Sequence, residues 1–146
     1  MDEHEKRSME QDSPDAQPLT VTAAIIEANG RVLIARRGQG GARGGRWEFP
    51  GGKVGKGELD VAALEREIRE ELGVTVSVGR LTATVDWSYP DTMVELRAYA
   101  CSILAGEPTA VEHAEIRWVR PEDLTDYDLC EADVPIARRL SERYAG

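Results

Sequence analysis

At 146 residues, with 41% hydrophobic residues and a net charge of -9, the chain has the length for one domain around a single sizeable core. The acidic balance argues against nonspecific binding to DNA, RNA or anionic membranes, where a basic patch is needed, though a polyphosphate can still bind where metal and local arginines neutralise it. No apolar run approaches the roughly 20 residues of a membrane span, and the N-terminus lacks the apolar core of a signal peptide.

Residues 1–17 read as a disordered acidic tail: acids outnumber Lys6 and Arg7, aromatics are missing, and Pro14 lies within it. Residues 18–146 read as one domain. Leu19 to Ile26 is a strand by its β-branched content, Asn29-Gly30 a tight hairpin turn, and Arg31 to Ala35 the returning strand. Gly38 to Gly45 is a glycine-rich loop holding Arg43, and Trp47-Glu48-Phe49 is a short strand stopped by Pro50-Gly51-Gly52. Gly51 to Gly57 then holds four glycines in seven residues, which lets backbone come close to a ligand.

A helix follows. Its apolar stripe is Val61, Leu64, Ile68 and Leu72, acids Glu58 and Asp60 sit near its positive end, and Gly73 stops it. Beyond it, Val74 to Val85 and Thr92 to Leu104 alternate as strands, and Glu115 to Val119 is a last short one. Pro121 opens a small turn or helix. Val134 to Tyr144 is a closing helix with Ile136, Leu140 and Tyr144 facing inward. This order predicts an α/β domain, a mixed sheet between helices. Cys101 and Cys130 are too few for a disulfide framework and have no metal-ligand neighbour at short spacing, so both are read as reduced packing thiols of a cytoplasmic protein.

Within the helix, Glu67, Glu70 and Glu71 stand at i, i+3 and i+4 and converge on one arc. Like charges so placed destabilise a helix by roughly 0.2–0.5 kcal/mol per pair. A hard dication such as Mg²⁺, which takes carboxylate oxygens together with water and substrate phosphates, offsets that repulsion. A solvated acidic face is the plainer alternative; the marked helix ends, the apolar stripe on the other face and the glycine loop favour the metal.

Residues 52–74 resemble the signature of the Nudix hydrolases. Gly52, Glu58, Arg66-Glu67, Ile68, Glu70-Glu71, Gly73 and Val74 match it at nine fixed positions over 23 residues. The resemblance implies a Nudix-type α/β/α sandwich and an enzyme that cleaves a nucleoside diphosphate linked to another group. It further implies Mg²⁺, with Mn²⁺ as a substitute, held by Glu67, Glu70, Glu71 and the backbone of Gly51. Arg66 either orients a carboxylate, Glu70 or Glu58, or is an ordinary surface pair. The general base is a helix glutamate, Glu67 or Glu70, or a downstream loop acid, whose place Glu112 occupies. His113 beside it is read as a plain loop residue.

The flanks are similar to the MutT-type and CTP-pyrophosphohydrolase-type branch, through Trp47 to Lys53 and the Arg36-Arg37 pair. That likeness implies Arg37 as a phosphate ligand, Phe49 and Tyr89 as nucleoside-pocket aromatics, and Asp133 as the reader of the base. MutT itself has asparagine where Asp133 stands. An ionised Asp133 only accepts hydrogen bonds, which favours the N4 amino group of cytosine over 8-oxoguanine. The reading is a Mg²⁺-dependent nucleoside triphosphate pyrophosphohydrolase that releases nucleoside monophosphate and pyrophosphate in nucleotide-pool sanitation, on cytidine-type or modified nucleotides. The alternatives are an 8-oxo-dGTP diphosphatase, an ADP-ribose or dinucleotide pyrophosphatase, and a nucleotide-sensing module. The expected partner is a small nucleotide, with a homodimer left open.

Overall fold

The computed structural model describes residues 18–145, so the acidic tail lies outside the described residues, as does the Tyr144 side chain. β1 (Leu19–Ala28) runs through the centre of the sheet. Its run from Ala23 to Ile26 is buried on both faces. Ala23 and Ile25 pack into one apolar cluster, and Ala24 and Ile26 into the other. Alternation along a strand therefore serves two cores at once.

The turn after β1 has Asn29 at φ 53 and Gly30 at φ 76, the left-handed pair that a two-residue hairpin needs. It feeds β2 (Arg31–Arg36). Only Glu27 and Ala28 pair with β2 before the two strands part. β2 then takes β3 (Trp47–Glu48) and β7 (Glu115–Val119) as antiparallel partners. β1 meanwhile pairs in parallel with β6 (Met93–Ala105) along Leu19 to Ile26, and β6 forms a long antiparallel hairpin with β5 (Thr75–Ser88). The sheet is thus mixed, as the sequence predicts, and its parallel pair is joined by the long connection over residues 29–92.

One expectation is corrected here. Gly51–Lys53 does not merely stop a strand; it is a strand, β4, paired antiparallel with Val21 to Ala23 of β1. A Cβ built on Gly51 would lie 2.0 Å from the Thr22 carbonyl oxygen, so glycine is what allows this approach.

α1 (Asp60–Leu72) lies on one face of the sheet, with Leu64, Ile68 and Leu72 fully buried in the second cluster. Gly73, at φ 72, closes it by donating its N–H to Arg69. Val61 departs from the predicted stripe and is 42% exposed, because the apolar cluster begins one turn later, at Leu64. α2 (Val134–Ala145) covers the other face through Ile136, Ala137 and Leu140. Two 3₁₀ turns, Pro121–Asp126 and Glu131–Asp133, carry the chain from β7 to α2. No described helix is long and apolar enough to cross a membrane.

Candidate active site

The glycine strand brings backbone onto the acidic face of α1. Ala24 N–H donates to the Pro50 carbonyl at 2.7 Å and Val54 N–H to the Thr20 carbonyl at 3.0 Å, which pins both ends of β4. A Cβ on Gly52 would stand 2.3 Å from the Glu67 carboxyl carbon, so the absent side chain is the space that Glu67 fills. Arg66 gathers the surrounding carboxylates. It donates twice to Glu58, each at 2.9 Å, once to Glu67 at 2.9 Å, and lies 3.5 Å from Glu70. Glu58 also accepts the Gly55 N–H at 2.8 Å. The Arg66 bonds, and after them the Gly55 amide, hold the Glu58 carboxyl down at about 2.

The three helix glutamates occupy unlike surroundings. The Glu70 side chain is 52% exposed, Glu67 is half-buried beneath Gly52, and Glu71 is only 6% exposed. Burial first, then the charges of Glu48, Glu67 and Glu112, push the Glu71 carboxyl up to about 9 against the pull of the Gly51 amide. Its Oε2 is buried without a hydrogen-bond partner among the described residues. His113 Nε2 lies 3.7 Å from Glu71 Oε1 and 2.9 Å from Glu48 Oε2. One ligand atom each from Glu48, Glu71 and His113 falls within 4.8 Å of the others. An orphaned carboxylate oxygen on Glu71, the acids Glu48 and Glu67 close enough to act on it, and a glycine-lined floor fit a hard divalent cation. They do not describe a self-sufficient hydrogen-bond network.

Glu48, Glu71, Gly51 and Gly52 line a cleft of about 340 Å³, whereas His113, Glu67 and Glu70 lie outside its lining. Arg37 lines it and donates to Glu48 at 3.1 Å, so the arginine and the acidic cluster share a carboxylate. The far wall is built by residues 128–133, which are tied to β3 by Trp47 N–H to Asp128 (2.9 Å) and Cys130 N–H to Trp47 (2.8 Å). Tyr89 OH accepts the Ala132 N–H at 2.9 Å. The Arg43 guanidinium sits 4.0 Å above the Tyr89 ring and pairs with Asp91 at 3.0 Å. Phe49 and Tyr89 line the cleft while belonging to the core.

Asp133 is 6% exposed, and its Oδ1 accepts the Phe49 N–H at 3.5 Å. Burial, reinforced by the charge of Glu48, raises its carboxyl well above the ordinary value despite the Phe49 amide and Arg37. Burial thus works against the ionised Asp133 that an acceptor-only reading of this residue needs, and a carboxyl that keeps its proton has one donor and one acceptor.

The NUDIX domain profile matches residues 21–139. The chain belongs to the NUDIX domain family. Among curated relatives, this Nudix hydrolase is 38% identical over 118 residues to the CTP pyrophosphohydrolase of Escherichia coli K12, covering 81% of this chain and 87% of that one. It is 41% identical over 114 residues to the putative 8-oxo-dGTP diphosphatase 2 of Mycobacterium tuberculosis H37Rv, covering 77% and 81%. The solution structure of the E. coli ORF135 protein is similar at a TM-score of 0.75 and 36% identity, over 87% of this chain and 91% of that one. The protein is accordingly a MutT-like Nudix hydrolase of the pyrophosphohydrolase type.

Three residues of this Nudix hydrolase site escape a reading of the sequence. Glu48 has a faint signal, since it alternates with the buried Trp47 and Phe49 and must point to the opposite face. Arg43 is visible only as a cation inside a glycine loop. His113 is not a plain loop residue: its side chain is 6% exposed and joins Glu48 and Glu71 across 65 and 42 positions of sequence. Glu112 next to it is exposed and lies outside the cleft lining, although its charge reaches Glu71.

Proposed function

We propose that this Nudix hydrolase is a divalent-metal-dependent nucleoside triphosphate pyrophosphohydrolase that releases nucleoside monophosphate and pyrophosphate. Its substrates in this reading are cytidine-type and oxidised purine nucleotides. The observation that carries it is one cleft lined by Arg37, Glu48 and the buried Glu71 together with Phe49, Tyr89 and the buried Asp133. Such a lining offers charge for a polyphosphate and an apolar, hydrogen-bonding wall for a base.

Glu67, Glu70 and Glu71, with the Gly51 carbonyl, would hold the cation. When bound, Mg²⁺ supplies charge withdrawal from phosphoryl oxygens and a more acidic water. The chain's own groups do the rest. Arg37, held by Glu48, would neutralise phosphate. Arg66 is a positioning residue that fixes Glu58 and Glu67 and steadies Glu70. Glu70, facing solvent, is the acceptor assigned to the water's proton, and Glu112 is the second candidate for it.

A neutral Asp133 carboxyl, the form its burial favours over the ordinary case, would widen base choice. Its O–H can donate to cytosine N3 while its carbonyl accepts from N4. It can equally donate to O6 and accept from N7–H of 8-oxoguanine. The names of the two relatives, one a CTP pyrophosphohydrolase and one a putative 8-oxo-dGTP diphosphatase, agree with such a pocket.

The test is pyrophosphate release from CTP, dCTP, dGTP and 8-oxo-dGTP, with Mg²⁺ and with chelator, the products identified by phosphorus NMR. Metal-dependent pyrophosphate from the cytidine and 8-oxoguanine substrates, above dGTP, is expected. Stepwise orthophosphate release, or turnover in chelator, refutes the reaction; a preference for dGTP refutes the base assignment.

A further inference from the structure

The helix glutamates form an all-oxygen set, yet the buried Glu71 also belongs to a group that contains a nitrogen. Glu71 is 6% exposed, with Oε2 unpartnered among the described residues. The His113 side chain is equally enclosed, and its Nε2 faces Glu48 Oε2 at 2.9 Å and Glu71 Oε1 at 3.7 Å. These three donors come from β3, α1 and the loop before β7, and each lies within 4.8 Å of the other two. Arg37, 3.1 Å from Glu48, is the cation paired with this group among the described residues.

We propose that Glu48, Glu71 and His113 form a divalent-cation site in which His113 Nε2 is a ligand, so that the enzyme holds Mn²⁺ and Co²⁺ in preference to Mg²⁺. The inference rests on the metal-dependent reading above and adds a ligand set to it. The buried Glu71 carboxylate beside that of Glu48 is costly without a neutralising charge at Glu71 itself. A dication settles that cost and occupies the unpartnered Oε2. An imidazole nitrogen raises affinity for first-row transition ions, while carboxylate oxygens alone suit Mg²⁺. Glu48 and Glu71 both line the cleft beside Arg37, so an ion held there stands at the polyphosphate end. For Nε2 to act as a ligand the ring proton must reside on Nδ1, which is buried and unpartnered among the described residues. The competing role for His113 is donation of an Nε2–H to Glu48 alone.

The two roles separate by pulsed electron paramagnetic resonance on the full chain, stripped of metal and loaded with substoichiometric Mn²⁺. An imidazole-nitrogen coupling to Mn²⁺ is expected in the wild type and is lost in His113→Gln. Calorimetric titrations should show His113→Gln weakening Mn²⁺ and Co²⁺ by about 10-fold or more, with a much smaller change for Mg²⁺. Mn²⁺ bound without nitrogen coupling, or an equal loss for all three ions, overturns the site and leaves His113 as a support for Glu48. Absence of any Mn²⁺ or Mg²⁺ binding overturns the metal-dependent function as well, so the two failures are distinguishable. The wild-type spectrum decides the matter even where His113→Gln folds poorly.

Discussion

Replacing Glu71 by Gln should stabilise the metal-free protein and disable the enzyme. The Glu71 carboxyl is pushed up to about 9 from an ordinary 4.5, burial being the largest cause. The sign follows from proton linkage: the folded state binds the proton more tightly than the unfolded chain. Its contribution is therefore fully present below about pH 4.5 and falls away as pH rises toward about 9. At about pH 7.5, some three pH units above the unfolded value, the cost reaches roughly 4 kcal/mol at about 1.36 kcal/mol per unit. Relaxation and water entry around the charged form reduce this to an expected 1–3 kcal/mol, about 3–9 °C in melting temperature for a chain of this size. The glutamine is neutral and nearly isosteric, so it escapes that cost. Urea unfolding of both proteins in chelator at several pH values from about 6 to 9 measures it: the variant's advantage should widen as pH rises. With Mg²⁺ present, the wild type should gain stability and Glu71→Gln should gain little, with turnover down by orders of magnitude. A stability difference that is flat in pH, or turnover near normal at saturating Mg²⁺, would refute the account of Glu71 as a buried acid awaiting a cation.

Gly51→Ala should cost at least about 2 kcal/mol, because its Cβ would meet the Thr22 backbone oxygen at 2.0 Å. Gly52→Ala should cost less, since the obstacle at 2.3 Å is the end of the Glu67 side chain, but it should weaken metal binding; calorimetry with and without Mg²⁺ separates the two effects. In a carboxyl NMR titration, Glu58 should lose its proton near pH 2 in the wild type and in the ordinary range in Arg66→Ala, where its main partner is gone. An unmoved midpoint would mean that the Gly55 amide alone holds Glu58 down. Asp133→Asn should leave the dCTP to 8-oxo-dGTP efficiency ratio within a few fold, both side chains offering a donor and an acceptor, whereas Asp133→Leu should lose about 1–3 kcal/mol of transition-state binding for both. A large shift of the ratio in Asp133→Asn would restore an ionised Asp133 as the reader.

Local chemistry in this chain announces its elements well. Asn29-Gly30 dictates a hairpin, since only such a pair accepts two left-handed residues, and Gly73 ends α1 for the same reason. The spacing of Leu64, Ile68 and Leu72 specifies the buried face of that helix, and the spacing of Glu67, Glu70 and Glu71 puts three acids on another arc. What helical spacing cannot express is depth. It treats those acids as equivalents, whereas packing leaves Glu70 half in solvent and closes Glu71 beneath β3 and the His113 loop. Val61 illustrates the converse: the right periodicity, with no core beneath it. Asp133 is an ordinary helix-end acid until residues 128–133 are drawn along β3 and its carboxyl loses its water. Glu48 and His113 become neighbours only because β2 leaves β1 after two residue pairs and recruits β3 and β7 on its two sides. Periodicity and turn chemistry act over a few residues and are written in the chain. Desolvation and the meeting of charges come from segments far apart in sequence, and those the tertiary structure alone decides.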